Sequence, residues 1–264
     1  MKIAFIGSGN MGKAIMGGII KSGLCKPDEI TAADAFPAAL EAVRDLYGVN
    51  TQSDNGLAVK GADVVILAVK PQVIGGVLKG IKDALTPDQL ILSIAAGKTL
   101  AFLAEGLGSD KKIIRCMPNT PALAGEGMTE FAPGPNVTDE DKAAAAAILN
   151  AFGKCVELPE HLIDAAGAVA GCGPAYFYMM IEAMADGAVA EGVPRATAYE
   201  LAAQTMLGSA KLVLESGRHP GELKDQVTSP AGSTIEGVAE LEDSGFRGAV
   251  MRAIRAAAAR NREL

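Results

Sequence analysis

Short apolar runs alternate with helix-period segments along the first half of the chain. The runs are rich in β-branched and aliphatic residues, and the stretch 64–69 contains no polar position, which is typical of strands buried on both faces. The pattern predicts a parallel sheet with helices on both of its faces. The predicted strands cover residues 2–6, 29–33, 63–69, 89–94, 113–117, 128–132 and 155–158.

Helices are predicted between these strands, over residues 10–22, 37–47, 72–85 and 139–152. Gly23 is expected to end the first helix, and Thr138 with Asp141 has the spacing of a capping box at the start of the last. Beyond about residue 160 the strand signals stop, and apolar positions recur every three or four residues. We therefore predict an α/β domain over 1–160 followed by an all-helical domain over 161–264.

The helical half is rich in alanine and glycine and carries few charges on its apolar faces. Small residues let helices approach closely, so this half is expected to bury itself against a second copy of the chain. The sequence thus favours a homodimer.

Composition and charge exclude several classes of protein. The 264 residues are 49% hydrophobic and 21% charged, within the globular range, and the length favours two domains. The net charge of -7 has the wrong sign for binding a phosphate backbone, so no nucleic-acid partner is expected. No apolar run approaches the roughly 18 residues of a membrane span, and no signal-peptide pattern opens the chain. Four dispersed cysteines and two histidines predict neither a metal site nor disulfides, so we expect reduced thiols in the cytoplasm.

The strongest local motif follows the first predicted strand directly and opens the first helix. It is a G-x-G-x-x-G sequence made of Gly7, Ser8, Gly9, Asn10, Met11 and Gly12. Gly7 permits a tight turn, Gly9 lets the backbone approach a pyrophosphate, and Gly12 lets the helix pack closely on the strand. Helix N-terminal amides would then face the anion. This context predicts a dinucleotide site, although a tight turn without ligand has the same pattern.

Asp34 ends the second predicted strand. A carboxylate there can accept hydrogen bonds from the ribose hydroxyls of NAD and would repel the additional phosphate of NADP, which favours NADH. The alternative is an exposed residue that caps the next helix, because Ala35, Phe36 and Pro37 follow as a helix start would.

Three further loops follow predicted strands and should line the same crevice. Lys70 and Pro71 end the third strand. The small residues around Ala95, Ala96 and Gly97 follow the fourth strand and would admit a flat nicotinamide ring against the backbone. Residues 115–121, with two prolines, follow the fifth. Each could be an ordinary turn, but three at one edge favour a ligand site.

The clearest feature of the helical half is the segment 228–236. Ser233 and Glu236 have the spacing of a capping box, which predicts a helix that starts here with free amides at its end. Such an end can bind a carboxylate, and neighbouring hydroxyls can bond a second polar atom of a small ligand. The alternative is a helix cap without a ligand.

Taken together, these segments resemble the pyrroline-5-carboxylate reductase family. The resemblance rests on residues 7–12, 68–71, 93–97, 115–121, 173–176 and above all 223–235, which looks like the family's signature. It extends over the whole chain. It implies an N-terminal Rossmann domain, an all-helical dimerisation domain and often a decamer of five dimers. It also implies the last step of proline biosynthesis, in which NADPH or NADH reduces 1-pyrroline-5-carboxylate to L-proline.

The resemblance further implies individual site residues and no metal. Cofactor contacts fall on Ile6 and the glycine-rich residues, on Asn55 near the adenosine ribose, on Ala68, Val69, Lys70 and Pro71, and on Ala95, Ala96 and Gly97. Substrate contacts fall on Ser229, Gly232, Ser233 and Thr234, with the Thr234 hydroxyl as the catalytic group on the ring nitrogen. Two departures stand out: Asp34 lies where many members accept the NADP phosphate, and Ala231 lies where relatives commonly have glycine.

Two other functions stay open on the sequence alone. A related dehydrogenase could act on a 3-hydroxyacid or another imine, but such enzymes usually place a lysine in the helical domain, and Lys211 and Lys224 lie in no recognisable motif. A non-catalytic nucleotide sensor would have no use for the segment 229–234.

Overall fold

The computed structural model describes residues 1–263, and it contains one eight-stranded sheet in the order β3-β2-β1-β4-β5-β6-β7-β8. All neighbouring strands run parallel except β6 and β7, which are antiparallel. The strands are β1 (Ile3–Ile6), β2 (Ile30–Ala33), β3 (Asn50–Gln52), β4 (Val64–Leu67), β5 (Leu90–Ser93), β6 (Lys112–Pro118), β7 (Gly127–Pro133) and β8 (Gly153–Glu157).

Helices alternate with the strands up to β8 and make up the rest of the chain. They are α1 (Asn10–Lys21), α2 (Pro37–Tyr47), α3 (Asn55–Ala58), α4 (Ile74–Ile81), α5 (Leu100–Leu107), α6 (Asp139–Asn150), α7 (Glu160–Ala170), α8 (Gly173–Ala190), α9 (Arg195–Ser216), α10 (Pro220–Gln226), α11 (Ser233–Asp243) and α12 (Phe246–Asn261).

The sheet is covered on both faces, and each face has its own buried core. On one face, Phe5 of β1 packs with Ile15 of α1 and Val43 of α2. On the other, Leu67 of β4 packs with Leu78 of α4. Burial of both faces explains why the central strands are continuously apolar.

The predicted α/β architecture is confirmed, with three differences. The sheet is not wholly parallel, because β7 returns beside β6 after only a short 3-10 turn, Thr120–Ala124, and so short a connection can join only antiparallel neighbours. Strand β3 and helices α3 and α5 were not predicted. The predicted helix over 72–85 is shorter, since α4 ends at Ile81 and a 3-10 turn follows.

The described chain forms two compact units. One contains Met1–Gly171 together with the end of the chain from Ala257, and the other contains Cys172–Ala256. The sheet ends near the predicted boundary at 160, and α7 follows within the first unit. Within the second unit, α8 and α9 pack closely through small buried residues such as Ala185, Ala198 and Ala202.

Many large apolar side chains of the second unit are exposed. Phe177, Tyr178 and Met179 on α8 are 58%, 57% and 66% exposed, and Leu214 on α9 is 81% exposed. So many exposed large apolar side chains in one unit are typical of a surface that another protein chain covers. Among the described helices, none is both long enough and apolar enough to cross a lipid bilayer.

Candidate active site

The predicted ligand loops leave one edge of the sheet, at the carboxyl ends of neighbouring strands. Ile6 at the end of β1 lies opposite Ala33 of β2 and Leu67 of β4, and Leu67 lies opposite Ser93 of β5. Loops that follow these residues are therefore adjacent. We call this edge the carboxyl edge; it is where ligands bind in open α/β sheets.

The loop from Gly7 to Gly12, here the glycine-rich loop, owes its shape to its glycines. Gly7 has a φ of +104°, and a Cβ there would lie 2.4 Å from the carbonyl oxygen of Ala68. A Cβ on Gly12 would lie 2.7 Å from the carbonyl oxygen of Gly7, whereas a Cβ on Gly9 would meet no atom within 4 Å. Gly7 and Gly12 are thus needed for the turn, and Gly9 faces open space.

Helix α1 begins at Asn10 without a side-chain cap on its amides. Its first amides, those of Asn10 and Met11 included, have no carbonyl one turn earlier to bond. They are therefore available to an anion, and the positive end of the helix dipole favours one.

Asp34 is bonded to the glycine-rich loop. Its Oδ2 atom accepts hydrogen bonds from the Ser8 amide at 2.8 Å and from the Ser8 hydroxyl at 2.9 Å, and its Oδ1 atom accepts from the Phe36 amide at 3.0 Å. Asp34 does not cap helix α2, whose N-cap position is Phe36. The structure therefore does not support the helix-cap alternative, and the role of Asp34 at a cofactor ribose stays a prediction.

Two other loops join this edge. Ala68, Val69, Lys70 and Pro71 follow β4, where the Ala68 amide bonds to Ile6 and the Val73 amide bonds to Lys70. Ala95, Ala96 and Gly97 follow β5 and form a tight turn in which Lys98 donates to Ala95 at 3.3 Å and Gly97 has a φ of +72°. Both loops are short, and most of their residues are at least partly exposed to solvent.

Asn55 lies beyond the edge strand β3, as the first residue of α3. The Asp54 side chain caps this short helix by accepting from the Leu57 amide at 2.8 Å, so Asn55 occupies a fixed position. Along the sheet the order is Asn55, Asp34, the glycine-rich loop, residues 68–71 and residues 95–97.

The predicted loop over 115–121 differs from expectation. Strand β6 continues to Pro118, so Arg115 lies within the strand, is only 4% exposed and faces Asp164 of α7. Asn119 follows the strand; its amide group donates to Ala170 at 3.0 Å and accepts from Met128 at 2.9 Å. Its polar atoms stabilise the fold and are not free for a ligand.

The segment 228–234, here the serine loop, consists of the turn before helix α11 and the first two residues of that helix, in the second unit. Within the described residues, the hydroxyls of Ser229, Ser233 and Thr234 make no hydrogen bond, and all three residues are exposed. A Cβ on Gly232 would lie 2.4 Å from the Ser229 hydroxyl oxygen and 3.1 Å from the Ser229 carbonyl oxygen, so a larger residue there would force the Ser229 side chain to rotate. The amides of the first turn and these hydroxyls are together available to a small acid.

The predicted capping box at Ser233 and Glu236 is wrong. Gly232 is the N-cap residue of α11 in an extended conformation, and no side chain caps the helix. Ser233 is therefore the first helical residue, and the Ser233 hydroxyl is released from a capping role.

A buried acid was not predicted. Glu130 of β7 lies opposite Met117 of β6, is 2% exposed, and its Oε2 atom has no hydrogen-bond partner in the described part of the chain. Burial raises the pKa of Glu130 to about 7. The only sequence signal for it was a charged residue within a predicted strand.

The glycine-rich loop, the open α1 amides and Asp34 fit the pyrophosphate and adenosine ribose of a dinucleotide. A pyrophosphate site needs a tightly folded backbone that leaves room for the ligand. Gly7 lies close against Ala68 and Gly12 close against Gly7, while the space at Gly9 is open. Among residues 1–263, no group of three or more His, Cys, Asp or Glu side chains is placed to hold a metal ion.

Comparison with known proteins identifies the class first. Residues 2–97 match the family model described as NADP oxidoreductase, coenzyme F420-dependent, and residues 160–264 match the model for pyrroline-5-carboxylate reductase dimerisation. Fold and matches together define an oxidoreductase with a Rossmann-type domain followed by a helical region that matches a dimerisation domain.

Full-length relatives identify the family. The chain is 50% identical over 253 residues to pyrroline-5-carboxylate reductase of Escherichia coli, covering 96% of this chain and 94% of that protein. A solved pyrroline-5-carboxylate reductase from Coxiella burnetii has a TM-score of 0.95 at 35% identity, covering 99% and 97% of the two chains. The enzyme of Plasmodium falciparum, solved with NADP bound, has a TM-score of 0.87 at 34% identity, covering 100% and 97%. The chain belongs to the pyrroline-5-carboxylate reductase family.

Proposed function

We propose that this protein reduces 1-pyrroline-5-carboxylate to L-proline with a reduced nicotinamide dinucleotide, the last step of proline biosynthesis. The observation that carries the proposal is the serine loop, which offers free amides and three unbonded hydroxyls at the start of α11 in a chain of this family. A small cyclic acid with one ring nitrogen matches that set of donors.

The cofactor is assigned to the carboxyl edge. The glycine-rich loop and α1 amides would bind the pyrophosphate, Asp34 and Asn55 the adenosine side, and residues 68–71 and 95–97 the nicotinamide side. When bound, the reduced dinucleotide would supply a hydride to the imine carbon, while the ring nitrogen takes up a proton from solvent to complete the amine. Residues 95–97 carry no bulky side chain, so a flat ring can lie against their backbone.

Substrate binding is assigned to the serine loop. First-turn amides of α11 would hold the carboxylate, with Ser229 and Ser233 beside it, because a helix N-terminus favours an anion. The Thr234 hydroxyl would hydrogen-bond the ring nitrogen and so orient the imine carbon. Positioning of the two reactants supplies most of the rate enhancement in a site of this kind, since the substrate is already an imine.

The cofactor preference is proposed to favour NADH over NADPH. Asp34 carries a negative charge next to the expected ribose, where the additional phosphate of NADPH would be repelled. The Plasmodium falciparum relative was solved with NADP bound, and the family resemblance implies that NADPH is common, so Asp34 is the residue that would set this chain apart.

The domain roles and assembly complete the proposal. Residues 1–160 would bind the dinucleotide, and residues 161–264 would dimerise and bind substrate, in agreement with the family model over 160–264. The exposed apolar side chains on α8 and α9 would form the dimer interface, and a decamer of five dimers is the larger assembly that the family resemblance implies. We place the enzyme in the cytoplasm.

The decisive experiment is a direct assay of the purified protein. Pyrroline-5-carboxylate is mixed with NADH or NADPH, and loss of the reduced nicotinamide absorbance is followed together with proline formation. A 3-hydroxyacid with each oxidised cofactor serves as the alternative substrate. Turnover of pyrroline-5-carboxylate is expected; binding of cofactor without turnover would favour a nucleotide sensor, and turnover of the hydroxyacid alone would favour the related dehydrogenases.

A further inference from the structure

The side chain of Glu160 joins two helices that are far apart in sequence. Glu160 is the first residue of α7, yet its Oε1 atom accepts a hydrogen bond from the Leu100 amide at 2.6 Å. Leu100 is the first residue of α5, so this amide has no partner within its own helix. The negative charge also lies at the positive end of α5, which is electrostatically favourable.

The contact with Leu100 fixes the far end of the loop that follows β5. At its near end the loop is held by the sheet, because the Ile94 amide donates to the Leu67 carbonyl oxygen at 3.1 Å. Between these two points lie Ala95, Ala96 and Gly97, whose side chains can make no hydrogen bond. Thr99 accepts from the Phe102 amide at 3.1 Å and so completes the start of α5 without holding Leu100.

Arg115 orients the Glu160 carboxylate. Its Nη1 atom lies 3.5 Å from Glu160 Oε1, and its Nη2 atom lies 2.6 Å from Asp164 Oδ1. The guanidinium is buried, and the two carboxylates are one helical turn apart on α7, so both face the same cation. Arg115 lies opposite Ser93, the last residue of β5, so the cluster adjoins both ends of the loop.

We propose that Glu160, oriented by Arg115, is a positioning residue for hydride transfer. It fixes the backbone of residues 95–97, against which the nicotinamide ring lies, and so sets the distance of the ring from the imine carbon. This inference rests on the proposed assignment of residues 95–97 to the nicotinamide. The adenosine side of the cofactor, bound several strands away, is independent of Glu160.

The test compares Glu160→Ala with Glu160→Gln in the intact oligomer. Alanine leaves the Leu100 amide unpaired and frees the loop, and a misplacement of about 1 Å can lower a rate up to roughly a hundredfold, so we expect kcat to fall about tenfold. KM for NADH and binding of ADP-ribose should change less than about twofold. Glutamine keeps an oxygen acceptor for Leu100 and should restore most of kcat. With NADH deuterated at C4, the isotope effect on kcat should rise in Glu160→Ala, because the hydride step becomes slower.

Glu157→Ala is the matched control. Glu157 ends β8, three residues before Glu160, and its carboxylate pairs with Lys142 without contacting α5. It should keep kcat and the isotope effect of the unmodified enzyme at temperatures where all variants are folded. Any of three results would overturn the proposal. The first is an unchanged kcat in Glu160→Ala, and the second is an equal loss of kcat in Glu157→Ala. The third is a lower kcat in Glu160→Ala with an unchanged isotope effect. If the unmodified protein itself shows no turnover, it is instead the proposed function that fails.

Discussion

Asp34 and Ser8 connect the ends of the first two strands through two hydrogen bonds to one carboxylate oxygen. The Ser8 amide donates to Asp34 Oδ2 at 2.8 Å and the Ser8 hydroxyl at 2.9 Å. The acid therefore holds the glycine-rich loop, and we propose that it also places a negative charge beside the adenosine ribose of a bound cofactor. Each role has a measurable consequence.

Replacement of Asp34 by serine should change the cofactor preference. Asp34→Ser removes the charge that would repel the phosphate of NADPH, so kcat/KM for NADPH relative to NADH should rise at least about tenfold, the equivalent of ~1.4 kcal/mol. KM for both cofactors should also rise, because Ser8 loses its acceptor. Steady-state kinetics with both cofactors measure this. Asp45→Ser, on the exposed side of α2, is the control; an unchanged ratio in Asp34→Ser would show that the carboxylate only supports the loop.

Thr234 is predicted to act in turnover and not in cofactor binding. Thr234→Ala removes the hydroxyl that is proposed to hydrogen-bond the ring nitrogen of the substrate, and leaving such a partner unpaired in the complex costs ~1–3 kcal/mol, or roughly 5- to 150-fold in rate. NADH affinity should stay the same, and Thr234→Ser should retain most of the rate. Ser244→Ala, at the other end of α11, should have no effect. Full activity in Thr234→Ala would remove this hydroxyl from the mechanism.

Ala231 is the one non-glycine residue with positive φ among residues 1–263, at 54°, and it lies in the serine loop. A left-handed conformation costs alanine ~1 kcal/mol, while glycine there has a similar entropic cost, so Ala231→Gly should leave stability and kinetics nearly unchanged. Ala231→Val should distort the loop, because a β-branched residue is strongly disfavoured at positive φ. In Ala231→Val, KM for the substrate should rise several-fold while KM for NADH stays the same, as steady-state kinetics would measure. Equal kinetics in Ala231→Gly and Ala231→Val would show that the loop shape is not needed.

Glu130 should make the fold less stable as the pH rises. Its pKa is about 7 in the folded protein and near the ordinary value in the unfolded chain, so the folded state binds the proton more tightly. The stabilisation is present in full below about pH 4 and is lost as the pH rises through about 7, by an amount on the order of 3 kcal/mol. Thermal melts from pH 5 to 8 should show Tm falling, and Glu130→Gln should flatten that slope. If Tm falls with pH equally steeply in the unmodified protein and in Glu130→Gln, then Glu130 is not the group that titrates.

The parts of the fold that the sequence predicted are those with a local cause. Strands β1 and β4 are continuous apolar runs because both faces of the sheet are buried, and Thr138 with Asp141 forms the predicted capping box through bonds of 2.9 and 3.2 Å. The glycine-rich loop was predictable because steric contacts at Gly7 and Gly12 permit no other residue type. Strand β3 was missed, since its three residues are polar and lie at the sheet edge.

The parts that the sequence did not predict depend on contacts between distant segments. Glu160 and Leu100 are 60 residues apart, and nothing in either neighbourhood indicates the contact. The capping box at Ser233 failed because two residues of the right type at the right spacing do not determine which residue adopts the extended N-cap conformation. Gly232 adopts it, and that outcome depends on the turn in which the Gly232 amide bonds to Ser229 at 3.0 Å.

Helix α12 crosses from one compact unit into the other, because residues up to Ala256 belong with α8 to α11 and those from Ala257 belong with the sheet. In the last turns, Ala258 is buried and the Asn261 side chain donates to the Asp164 carbonyl oxygen at 3.0 Å. Topologically, the helical unit is an insertion into the sheet unit. A fragment that stops at residue 160 would lack α7 itself, and one that stops at residue 171 would leave α7 without the terminal turns that contact it. An isolated N-terminal piece should therefore carry residues 257–264, joined to residue 171 through a linker.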